Sequence, residues 1–113
     1  MPPRGHLATT PPFAVEQALQ KLGQNLRTAR VRRNISLVEM ASRLGVDRHV
    51  LADAERGKPT TGIGVYAGML WAMDLLAQLD SVAAPMNDEI GLALARDEER
   101  ERAYPSRAMS NDF

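Results

Sequence analysis

Apolar residues recur along this chain at helical spacing. From Phe13 to Arg33, Ala18, Leu19, Leu22, Leu26 and Ala29 share one face of a long first helix. Leu37, Met40, Ala41 and Leu44 follow at i, i+3, i+4 and i+7, which predicts a short second helix over Leu37–Leu44. A third, over Arg48–Arg56, turns Leu51 and Ala54 inward. Ile63, Tyr66, Leu70 and Met73 predict a fourth over Gly62–Met73, with Trp71 and the methionines as core or interface. Leu75, Leu76, Leu79 and Val82 predict a fifth over Asp74–Ala84, which Pro85 ends. Ile90, Ala93 and Leu94 place a short helix within Asn87–Tyr104, before a loose tail over Pro105–Phe113. The expected fold class is all-α: a five-helix domain over 13–84, a disordered proline-rich arm over 1–12, and a C-terminal helix and tail over 85–113.

Polar positions sharpen the middle of this pattern. Ser36 and Glu39 form the Ser-x-x-Glu signature of a capping box, in which each side chain takes up an orphan backbone N–H. Asn34 and Gly45 stand where helix ends need a left-handed residue. Asp47 can cap the third helix. Two helices joined by so short a turn cross steeply, which is the helix-turn-helix arrangement. The third helix is left with a polar face of Arg48, His49, Ala52 and Asp53.

Composition changes this picture in two ways. The formal net charge is zero, which at first argues against a nucleic-acid partner, but residues 1–58 hold 10 Lys/Arg against 5 Asp/Glu and residues 59–113 hold 4 against 9. A basic half and an acidic half suggest a binding surface and an acidic remainder. Cysteine is absent, so there is no disulfide framework and no thiolate metal site, in keeping with a reducing cytoplasm. No apolar run reaches the roughly 18 residues of a membrane helix, and the N-terminus lacks an apolar signal segment.

Enzyme chemistry finds no support. His6 sits in the arm and His49 on the third helix, so no histidine triad forms, and no second ligand accompanies His49 for a metal. Gly62, Gly64 and Gly68 lack the strand and spacing of a nucleotide loop. No catalytic residue, metal or cofactor is expected. For a helix-turn-helix, the start of the second helix of the pair enters the major groove. Arg48 suits the O6/N7 edge of guanine, His49 can donate or accept, and Val50 or Ala52 can meet a thymine methyl. Asp53 either accepts from a cytosine amino group or pairs with Arg56 in solvent. Arg32 and Arg33 either complement the dipole at their own helix end or attract phosphate. Lys58, Thr60 and Thr61 offer donors in the following loop, where Thr61 is also a candidate helix cap; Ser36 and Arg56 complete the phosphate set.

Small Ala41, Gly45 in the turn, apolar Leu51 and the ending Glu55-Arg56-Gly57-Lys58 together resemble the XRE (Cro/CI-type) repressor family, over roughly Leu22–Leu79. The resemblance implies a lambda-repressor-like domain that binds a palindromic DNA operator as a homodimer in the bacterial cytoplasm, at the nucleoid. It also implies an ion pair between Arg30 and Glu55. The surplus apolar surface of Leu75, Leu76, Leu79 and Val82 suits the two-fold interface. Two residues depart from the family pattern: Leu37 replaces a phosphate-binding glutamine, and Ala54 is smaller than usual, so that a neighbour such as Trp71 or a methionine must fill the space. The run GKPTTGIGVYAGMLWAMDLLAQL, with DEIGLAL after it, is similar to HipB-like regulators, which implies an antitoxin that represses its own operon and binds a HipA-like serine/threonine kinase. The competing expectations are a free-standing repressor and a dimerising adaptor that reads no DNA; Leu37 and Asp53 favour the adaptor.

Overall fold

In the computed structural model the described backbone runs over residues 6–111 and the described side chains over residues 7–103. Every regular element in it is helical: α1 (His6–Thr9), α2 (Phe13–Arg32), α3 (Leu37–Leu44), α4 (Arg48–Arg56), α5 (Ile63–Ala72), 3₁₀ helices at Leu76–Ser81 and Pro85–Asn87, and α6 (Glu89–Asn111). The chain forms two compact units, 1–77 and 78–113, which divide before the expected boundary at Pro85.

In the first unit α4 packs against α2, α3 and α5, and α3 also packs against α5. Leu26, Ile35, Met40, Ala41, Leu51, Ala54, Tyr66, Met69, Leu70 and Met73 form the core. Leu51 is fully buried, which stabilises by about 1.5–3 kcal/mol. The Asp47 cap at the head of the same helix contributes about 1 kcal/mol. Packing of Leu51 and Ala54 therefore does more than the cap to hold α4. The hydroxyl of buried Tyr66 has no hydrogen-bond partner among the described residues.

Four successive helices end in the same way. Asn34, Gly45, Gly57 and Asp74 take φ of 54°, 66°, 75° and 62°, the left-handed conformation. In each case the next N–H reaches back around the helix end: Ile35 to the Arg30 carbonyl, Val46 to Ala41, Lys58 to Asp53 and Leu75 to Leu70, at 2.8–3.2 Å. This is the Schellman closure, which satisfies carbonyls that the helix itself leaves unpaired.

Several expectations are corrected. The arm is not wholly irregular, because His6–Thr9 is a helical turn; Met1–Gly5 lie outside the described residues. The fifth helix over Asp74–Ala84 is instead a 3₁₀ helix over Leu76–Ser81. Leu76, Leu79 and Val82 are three residues apart, a spacing that suits three residues per turn as well as an α-helix. Left-handed Asp74 and Ala83 bracket the segment and keep it short. Trp71 is largely exposed and does not compensate for small Ala54. Met40, Met69 and Met73 are buried in the same core as Ala54, and α2 approaches α4 closely, since a Cβ at Gly23 would lie 2.7 Å from the Ala54 carbonyl oxygen.

In the second unit the Pro85–Asn87 turn packs on α6, and the Asp88 carboxylate caps α6 by accepting from Gly91 N–H at 2.9 Å. The α6 backbone continues through Pro105 to Asn111, where a loose tail was expected; Phe113 lies outside the described residues. Arginine, glutamate and alanine before the proline are strong helix formers, and Glu98 pairs with Arg102 one turn on. Ile90 and Leu94 on this helix are exposed. No helix among the described residues is long and apolar enough to cross a membrane.

Candidate nucleic-acid interface

The Gly45-Val46-Asp47 turn joins α3 to α4. Asp47 is extended, and its carboxylate accepts from the His49 N–H at 2.7 Å, which starts α4 immediately after the turn. Leu51, Ala54 and Glu55 then face inward. The side chains of Arg48 and His49 are consequently left exposed on the first turn, with no side-chain hydrogen bond or ion pair to any described residue. Val50 and Ala52 are half-buried beside them.

Asp53 is engaged. Its carboxylate pairs with Arg56 one turn on, and its other oxygen lies 3.4 Å from Lys58 Nζ. Of the two roles open to Asp53, the free protein adopts the pair with Arg56 and extends it to Lys58. Both cations remain exposed while they hold Asp53.

The capping box is half formed. Ser36 Oγ accepts from Glu39 N–H at 3.0 Å, whereas Glu39 turns its own carboxylate to Arg43 at 3.2 Å. Arg33 donates to the Ala29 carbonyl at 2.9 Å and so closes its own helix end, while Arg32 is exposed without an ion pair to any described residue. Thr60 is exposed and Thr61 half-buried. Thr61 does not cap α5: Gly62 occupies that position. Leu75 and Leu79 are half-buried, and Leu76 and Val82 are exposed.

One buried pair sets the frame on which these groups are mounted. Arg30 Nε donates to Glu55 at 2.6 Å and Nη2 to its second oxygen at 3.0 Å, while Nη1 donates to the Ile35 carbonyl at 2.7 Å. The fork ties α2 at once to the end of α4 and to the turn before α3. Side chains of both partners are more than nine-tenths buried. The Glu55 hydrogen bond holds the Arg30 guanidinium above its already high ordinary range; burial opposes this shift and the Glu55 charge adds to it.

A groove missed by sequence reasoning runs beside α4. Gln20, Gln24 and Arg27 of α2 form one wall, Leu37 and Ala52 lie along it, and Arg56 closes it. Gln20, Gln24 and Arg27 recur at i, i+4 and i+7, so the sequence did carry a polar helical stripe. What it lacked was the tertiary packing that sets this stripe opposite α4.

No protein-family model, no curated protein and no solved structure matches this chain.

Proposed function

We propose that the protein is a dimeric, sequence-specific DNA-binding repressor whose α3 and α4 act as a helix-turn-helix. The observation that carries this reading is the unpaired, exposed Arg48–His49 turn at the head of a helix whose opposite side is locked into the core. A guanidinium free of internal partners can form a bidentate contact with guanine, and a helix anchored by Leu51, Ala54 and Glu55 holds it at a fixed register. Arg48, His49, Val50 and Ala52 contact base edges. Ser36, Arg32, Arg33, Arg56, Lys58, Thr60 and Thr61 face the phosphates, with Arg33 the weakest member because its guanidinium already bonds to Ala29. Leu75, Leu76, Leu79 and Val82 supply the two-fold contact, which sets two α4 helices on half-sites roughly 34–36 Å apart.

The resemblance to HipB-like regulators extends the proposal to an antitoxin that represses its own operon and binds a HipA-like kinase. The exposed apolar residues Ile90 and Leu94 of α6, in the acidic half of the chain, are the docking candidates.

Selection of bound sequences from a random DNA pool tests the reading. The expected product is a palindrome with half-site centres about one helical turn, or a multiple of it, apart. A bound pool with no sequence enrichment would leave only a scaffold or a non-specific binder.

A further inference from the structure

Arg27 and Gln24 line two neighbouring grooves. The first is the groove toward Ala52 and Arg56; the second runs along α2 past Thr28, Val31 and Arg32. The grooves adjoin at Gln24 and Arg27, which line both; Arg56 lines only the first and Arg32 only the second, and together the two make an open track. Glu55 also lines the first groove, but its carboxylate is already taken by the bidentate Arg30 fork. The other charged residues lining the track are Arg27, Arg32 and Arg56, of which Arg56 is paired with Asp53 in the free protein. The side chains of Arg27 and Arg32 have no hydrogen bond or ion pair to any described residue.

We infer that this track seats the phosphodiester backbone of one DNA strand, with Arg27 as its central phosphate contact. The inference rests on the DNA-binding reading and adds to it a contact on α2, outside the helix-turn-helix. Three features favour a strand over a single anion. Cations are spaced along the track instead of converging on one point. The track is open to solvent. Apolar Leu37 and Ala52 sit beside the arginines, where a deoxyribose edge can lie while Arg27 and Gln24 donate to phosphate oxygens. The Leu37 side chain offers no donor at the head of α3, and Arg27 and Gln24 of α2 add donors beside Ser36 on that side.

The test compares full-length wild type with R27A, R27K and R43A on a selected palindrome and on a scrambled duplex, across a salt series. Arg43 serves as the control because its guanidinium belongs to α3 and pairs with Glu39. R27A is expected to weaken binding to both duplexes by the same factor and to lower the log–log salt slope by about one per protomer. R27K should keep most of the slope, since a phosphate contact needs charge more than fork geometry. The thermal midpoint of R27A should match wild type, as Arg27 is exposed and unpaired. An unchanged slope in R27A, a loss confined to the palindrome, or an equal drop in R43A would each overturn the track while leaving DNA recognition intact. Wild type that binds neither duplex would overturn both.

Discussion

Arg30 and Glu55 show how much one pair can determine. They lie 25 residues apart in sequence, yet the fork between them fixes the relative positions of α2, α3 and α4. Removing one partner leaves the other charge buried and unpaired, a change that costs about 3–5 kcal/mol. E55A should therefore lose that much stability in urea denaturation; a loss below about 1 kcal/mol would mean the pair is solvated in the native state. The pH dependence has a definite sign. Arg30's folded pKa is raised, so its contribution is complete below arginine's ordinary value and disappears only as pH rises through the higher folded one. Asp53 poses a different question at the same scale. In the free protein it neutralises Arg56 and Lys58, two candidate phosphate contacts. D53N should tighten binding to scrambled DNA and steepen its salt dependence. If D53N instead weakens binding to the selected palindrome and leaves scrambled DNA unaffected, Asp53 reads a cytosine.

Among the elements, α2 and the end of α4 approach each other backbone to backbone. A Cβ at Gly23 would meet the Ala54 and Glu55 carbonyl oxygens, and one at Gly57 would lie 2.5–2.6 Å from the Leu19 and Gln20 backbone. Neither backbone can move without displacing a whole helix. G23A is expected to destabilise by about 1–3 kcal/mol or more through overpacking. G64A, which faces open space near the start of α5, should be neutral or slightly stabilising. Equal denaturation midpoints for G23A and wild type would show that α2 and α4 separate at no cost. The contrast explains which parts of the fold were legible in the sequence. Asn34, Ser36, Gly45 and Asp47 are local signals, and α2 ends, α3 begins and ends, and α4 begins beside them. The Gly23 contact and the α2 track depend on tertiary proximity, and nothing local in the sequence reports that. The 3₁₀ segment was misread because Leu76, Leu79 and Val82 fit both helical periods. The run of α6 through Pro105 was misread because proline is a strong but not absolute helix breaker.

For the whole molecule, zero net charge conceals an uneven distribution of charge. The first compact unit carries Arg27, Arg32, Arg48, Arg56 and Lys58, and the second carries the acidic run Asp97–Glu101. In the proposed DNA-binding reading, the basic residues of the first unit attract phosphate, and the acidic run of the second adds nothing to non-specific DNA affinity. The helix that carries Arg48, His49, Val50 and Ala52 was legible because its cap and its apolar spacing are local patterns. The freedom of those side chains from internal partners was not, and that freedom distinguishes Arg48 from Asp53. The measurement that tests the central claim most directly is fluorescence anisotropy of the protein on DNA from upstream of its own gene, with scrambled DNA as competitor, at low and moderate salt, for wild type and R48A. Wild type should bind as two protomers per site, weaken steeply with salt, and prefer the upstream sequence. R48A should lose about 1–3 kcal/mol of that preference while binding scrambled DNA with little change. Equal affinity of wild type for both DNAs, or an R48A variant with undiminished preference, would contradict sequence reading by the first turn of α4.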